Sequence, residues 1–124
     1  GSAIFEKEKT EMEVKGRDLV LGVPRTIKLS SFEVTEAIFD VLQEILQTIK
    51  SVLRSTPPEL AADIYEKGIV LSGGGSMLKN LPQLIKNEIG VSATLAPDPQ
   101  ECAAKGTGVI LEALDLYKKV LLTK

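Results

Sequence analysis

Ten residues constrain this chain more than any others: Ile69-Val70-Leu71-Ser72-Gly73-Gly74-Gly75-Ser76-Met77-Leu78. A short apolar run fit for a buried strand meets three consecutive glycines, which lead into a segment with helical spacing. Glycine has no Cβ, so the backbone can take positive φ and bring its amide groups against a bound group. A following helix adds free N–H groups and a positive dipole end. A phosphate or a nucleoside fits such a place. The same order of elements also occurs as a plain tight turn between strand and helix, and spacing alone leaves both readings open. The pattern is neither a Walker loop nor a Rossmann fingerprint: Lys79 follows Gly75 by four residues with no Ser or Thr behind it, and G-x-G-x-x-G is absent.

With 124 residues and 44% of them apolar, the chain suits one domain able to bury a core. A formal net charge of -2 with both signs interspersed gives no basic stripe, so no nucleic-acid partner is expected. The single cysteine, Cys102, cannot form an internal disulfide and falls in a predicted helix, which fits a reducing cytosol. The absence of histidine removes the usual metal ligand and the usual general base. A zinc site or a Ser-His or Cys-His nucleophile is therefore not expected, and no metal-binding or catalytic residue is assigned. No run approaches the roughly 18 apolar residues needed to cross a bilayer, and the N-terminus lacks the apolar core of a signal peptide, so the chain reads as soluble. Gly1-Ser2 reads either as an expression remnant or as native sequence at a cut end.

Alternation from Lys9 to Lys15, with Met12 and Val14 on one face, predicts a half-exposed strand. Gly16-Arg17-Asp18 reads as a turn, Leu19–Val23 as a second apolar stretch, and Pro24 as an interruption before Arg25–Leu29 resumes the alternation. The expectation is a small antiparallel sheet. Ser30 and Glu33 form an S-x-x-E capping box, opening a long helix whose stripe is Val34, Ile38, Val41, Leu42, Ile45, Ile49, Val52 and Leu53. A coiled-coil seam competes, but clean heptads are not sustained. Thr56-Pro57-Pro58-Glu59 predicts a second helix capped by Thr56 and stopped by Gly68. A third helix is expected over Met77–Ile89, starting at Leu81 if Pro82 is to be tolerated, and a strand over Val91–Leu95. Asp98 is then a candidate cap for a short helix from Pro99 to Lys105. Gly106-Thr107-Gly108, read as a site of close backbone packing, separates it from a last helix from about Val109 to Leu122. Helix, strand, glycine turn and helix in that order predict an α/β fold with a ligand at the carboxyl end of a strand.

With these residues laid out, the chain resembles the C-terminal part of the MreB family of bacterial actin-like cell-shape proteins. The matching stretches are Met12–Leu19, Gly22–Thr26, Thr56–Ala61, Ile69–Leu84, Asp98-Pro99 and Ala104–Gly108. The resemblance implies the actin and Hsp70-type ATPase fold, of which this chain is part of the second half. Residues 1–30 would belong to a small outer subdomain rich in β-structure and residues 31–124 to an inner α/β subdomain. Gly73, Gly74, Gly75, Ser76, Met77 and Leu78 look like the family's adenosine motif, with glycine backbone against the α-phosphate and ribose and the following side chains beside the adenine. The family often has glycine where Asn80 stands, and asparagine also tolerates left-handed backbone.

The family's phosphate loops, its magnesium-positioning acids and its membrane-binding segment would all lie upstream. The resemblance thus implies ATP or ADP with magnesium in the intact parent, with none bound tightly by this piece alone. It implies self-assembly into filaments, contact with the rest of the parent and with membrane-associated cell-shape machinery, and a cytoplasmic place at the inner face of the membrane. A magnetosome-type filament protein, a chaperone ATPase or sugar kinase of the same fold, and a non-catalytic interaction module are the competing readings. Two predicted strands beyond the long helix leave edges and faces uncovered, so the piece alone should be marginally stable or self-associating.

Overall fold

The computed structural model describes residues 1–118. Its longest element follows from the capping box. Ser30 Oγ accepts the Glu33 amide at 3.2 Å, and Glu33 Oε2 accepts the Ser30 amide at 2.9 Å and the Ser30 hydroxyl at 2.6 Å. With both halves of the box closed, helix α1 (Ser31–Ser55) begins at once. The Ser30 hydroxyl and amide hold the Glu33 carboxyl below its ordinary range. Its 25 residues run about 37 Å.

Ahead of α1, strands β1 (Glu11–Arg17) and β2 (Pro24–Ser30) form an antiparallel hairpin. Met12 faces Leu29 and Val14 faces Ile27 on one side, while Glu13 faces Lys28 on the other. The turn lies further along than the sequence suggested. β1 continues through Gly16 and Arg17, and the apolar stretch Leu19–Val23 is hairpin loop, with no strand of its own. Asp18 is the cause: its Oδ1 accepts the Val20 and Leu21 amides at 2.9 and 3.0 Å, and its carbonyl accepts the amide of Gly22, which sits at φ +69°. A short carboxylate gathering the next amides competes successfully with strand pairing. These amides, with Arg25, hold the Asp18 carboxyl low. Pro24 opens β2 opposite Arg17 and interrupts nothing, since a first strand position tolerates a missing N–H.

Beyond α1 come α2 (Pro58–Lys67), β3 (Ile69–Leu71), a 3-10 turn (Gly74–Met77), α3 (Leu81–Ile89) and β4 (Ala93–Leu95). Thr56 does not cap α2; its hydroxyl donates back to the Val52 carbonyl at 2.7 Å and closes α1 instead. Gly68 ends α2 at φ +86°, as its position predicted. β3 and β4 pair in parallel, with Ile69 opposite Ala93 and Leu71 opposite Leu95. The core lies where α1 meets α3: Leu42 and Leu46 pack with Leu81, Leu84, Ile85 and Ala3. Leu46, 1% exposed, was outside the predicted stripe, whereas Val41 and Val52 within it are 60% and 58% exposed. α1 thus has two apolar faces, one against α3 and one bare. Periodicity records which residues are apolar, not which neighbour is present.

The last helices also break elsewhere than predicted. α4 (Cys102–Glu112) runs through Gly106 and Gly108, and the chain turns at Ala113 (φ −123°, ψ 43°) before α5 (Leu114–Tyr117). A Cβ on Gly106 or Gly108 would meet nothing within 4 Å, so the expected close packing is not made within the described residues. Asp98 caps no helix; its carboxylate pairs with Lys105. The predicted continuation to Leu122 lies outside the described residues. Among those residues no helix is long and apolar enough to cross a membrane.

Candidate functional site

The three glycines leave the carboxyl end of β3 and do different work. Gly73 takes φ +85°, donates its N–H to the Pro99 carbonyl at 2.6 Å, and so ties the turn to the segment after β4. Its carbonyl accepts the Ser76 amide at 3.2 Å and the Ser76 hydroxyl at 2.6 Å. Ser76 is buried and its side chain is consumed inside the turn. Gly73 is therefore required by backbone conformation, and Ser76 by the need to lock that conformation.

Gly74 and Gly75 have no such reason. Neither has positive φ; a Cβ on Gly75 would meet nothing within 4 Å, and one on Gly74 would meet only the Gln100 side chain, at 3.7 Å. Among the described residues their N–H groups have no hydrogen-bond partner. Two adjacent glycines that the chain's own packing does not demand leave a strip of bare backbone on the surface.

That strip borders an open groove of about 560 Å³. Ile38, Val41, Leu42 and Ile45 of α1 form one wall, and Gly74, Gly75, Met77 and Leu78 form the other. Of the six residues expected to hold a nucleotide, four line this groove, while Gly73 and Ser76 hold the turn from behind. The glycines do not open an α-helix, contrary to the expected Met77–Ile89 element. The four-residue 3-10 turn intervenes, and α3 starts only at Leu81, one residue ahead of Pro82, where a missing N–H is tolerated. A helix dipole therefore does not act at the glycines. What the groove offers is apolar surface on one side and unpaired amides on the other, which suits a flat, largely apolar ring carrying hydrogen-bond acceptors. Among the described residues no group of three or more Asp, Glu, Cys or His side chains gathers as a metal site would require.

A second set of residues at the turn gave no signal in the sequence. Asn80 is left-handed (φ +64°), as its tolerance of that conformation allowed. Its side chain reaches to the start of the chain, donating to Ser2 Oγ at 2.9 Å and to Glu6 Oε1 at 3.3 Å. Ala3 donates its N–H to the Lys79 carbonyl at 2.8 Å, and Ser2 is 1% exposed. Gly1 packs against Val34 so closely that a Cβ would lie 2.5 Å from Val34 Cγ1. No periodicity marks such contacts, because they join distant segments through backbone groups, a packed Val34 methyl and polar side chains, the Asn80 bonds spanning more than seventy residues.

A glycine turn at the carboxyl end of a parallel strand, packed beneath a long helix and preceded by a hairpin, is part of the actin-like α/β architecture. A family model described as MreB/Mbl protein matches residues 1–119, and the chain belongs to that family. It is similar to the cell shape-determining protein Mbl of Bacillus subtilis, 45% identical over 109 residues, covering 88% of this chain and 33% of the relative. It is likewise similar to the cell shape-determining protein MreB of Escherichia coli, 44% identical over 117 residues, 94% of this chain and 34% of that protein. Crystal structures of MreB5 of Spiroplasma citri superpose with TM-scores of 0.85 for the ADP-bound form and 0.86 for the AMPPNP-bound form. They are 30% and 29% identical, over 92% and 98% of this chain and 35% and 37% of those chains. The chain spans about a third of the length of the curated relatives it matches.

Proposed function

We propose that this chain is the adenosine-binding part of a filament-forming, nucleotide-dependent cell-shape protein, drawn from its C-terminal half. Gly74 and Gly75 carry the reading, because the fold of the chain itself gives no reason for glycine at either position. Their free amides would face the α-phosphate and ribose, and Met77 and Leu78, with the apolar face of α1, would flank the adenine. Gly73 and Ser76 would keep the turn in shape. The nucleotide-bound states of the Spiroplasma relatives support the choice of ligand. Hydrolysis in the whole protein would be metal-assisted attack of water on the γ-phosphate, with magnesium and the catalytic groups held outside this chain.

In this reading residues 1–30 belong to a small outer subdomain and residues 31–124 to an inner one, and the filament lies at the cytoplasmic face of the membrane beside the cell-shape machinery. Self-assembly draws support from the hairpin loop, where Leu19, Val20 and Leu21 stand 97%, 91% and 72% exposed on a tip whose Val20 and Leu21 amides are held by the Asp18 carboxylate. Apolar side chains held out on a rigid tip suit a protein partner better than solvent.

The test is binding of a fluorescent ADP analogue to this chain alone and to the chain joined to the missing two-thirds of a family member. Binding is expected only in the joined protein and is lost on Gly74→Val, with the unfolding midpoint nearly unchanged because a Cβ there meets only the Gln100 side chain, at ordinary contact distance. If neither form binds while the joined protein remains folded, the glycine turn is structural and the chain is an interaction module.

A further inference from the structure

The groove has two walls that belong to different segments, α1 and the glycine turn, and its width depends on what holds them at a fixed separation. Between the first turn of α1 and the peptide that follows the glycines lies the buried start of the chain. Ser2 Oγ accepts the Asn80 amide at 2.9 Å and the Ile4 N–H at 3.3 Å, and approaches the Lys79 carbonyl at 3.5 Å. On the other side the Thr35 hydroxyl of α1 donates to the Ser2 carbonyl at 3.0 Å, with the Ser31 carbonyl at the same distance. Ser2 and Thr35 are 1% and 3% exposed, so these bonds are sheltered from competing water.

Asn80 stands at the N-cap position of α3 but makes no cap hydrogen bond there. An asparagine in that place ordinarily turns its side chain onto the helix amides. Here the left-handed backbone points it away, into the bridge. The residue therefore performs two tasks that glycine would split: it supplies the left-handed turn, which glycine also does, and a side-chain amide, which glycine lacks.

We propose that Ser2 and Asn80 are a positioning pair that fixes the glycine turn relative to α1, and so sets the nucleotide affinity of the groove. The proposal rests on the nucleotide reading given above. The pair touches no ligand; it acts through the Lys79–Asn80 peptide on Met77 and Leu78, the residues just ahead of it in the groove wall. It also makes the chain's first residues part of the site's support, so the outer hairpin and the nucleotide turn are mechanically joined.

The experiment uses the joined full-length protein and a fluorescent ADP analogue, with Ser2→Ala, Asn80→Gly and the double variant. Asn80→Gly keeps the left-handed backbone and removes only the amide. Affinity and dissociation rate are read on the folded fraction, and the melting temperature is read without nucleotide. Each single variant is expected to weaken binding about three- to tenfold, the equivalent of one net hydrogen bond. The double variant should lose less than the product of the singles, because the two side chains share the Ser2–Asn80 bond. Unchanged affinity with a lowered melting temperature would overturn the proposal and leave the pair a packing feature. Losses that multiply in the double variant would overturn it too, since the residues would then act by separate routes. Absence of binding in the unaltered protein would instead refute the nucleotide reading and remove the basis of both.

Discussion

Replacing Gly68 by alanine separates two costs that the fold imposes on one residue. Gly68 lies at φ +86°, ψ −174°, a region nearly closed to residues with a Cβ, and occupying it would cost about 1–3 kcal/mol. The new Cβ would also lie 2.7 Å from the Ser92 carbonyl oxygen, which is backbone and cannot swing aside. That oxygen accepts the Ile69 amide at 2.8 Å at the start of the β3–β4 pairing, and relieving the contact would sacrifice about 1 kcal/mol of hydrogen bonding. Alanine restricts the unfolded chain, which returns about 0.4–1 kcal/mol. The net loss is about 2 kcal/mol, a large part of a stability on the order of 5–15 kcal/mol.

Gly73 supplies the control. It has nearly the same backbone, φ +85° and ψ 160°, but a Cβ there would meet nothing within 4 Å. Gly73→Ala should therefore cost about 1 kcal/mol, the conformational part alone. Urea denaturation of both variants, followed by far-ultraviolet circular dichroism at one protein concentration, reads the difference. If Gly73→Ala is as destabilising as Gly68→Ala, the Ser92 contact carries no weight and the steric reasoning fails.

Three further outcomes are expected. Leu46→Ala should remove about 2–5 kcal/mol, against less than about 1 kcal/mol for Val41→Ala on the bare face of the same helix, as measured by urea midpoints of the isolated chain. Glu33, Asp18 and Glu6 have carboxyls held low in the fold by Ser30, by the Leu21 and Val20 amides, and by Lys79, respectively. Their stabilisation is therefore complete above the unfolded carboxylate range and lost as pH falls through the folded values. Midpoints should hold from neutral pH to about pH 5 and drop below it, less steeply in Glu33→Gln. Serine at Leu19, Val20 and Leu21 together should leave the melting temperature nearly unchanged and reduce association in sedimentation velocity; unchanged association would remove the hairpin tip from the assembly surface.

The sequence by itself determined the elements that depend on neighbouring residues. The Ser30–Glu33 box, the stop at Gly68 and the glycine turn were all legible, because each is set by residues within a few positions of one another. Boundaries were missed where a side chain chose between two local partners: Asp18 gathered loop amides, and Thr56 closed the helix behind it in place of capping the one ahead. Only the tertiary structure decided which face of α1 is covered, which glycines the fold requires, and that Ser2 and Asn80 meet. Those outcomes depend on residues brought together from distant parts of the chain. Periodicity marks a side chain as apolar or polar but carries no record of the surface that will lie against it.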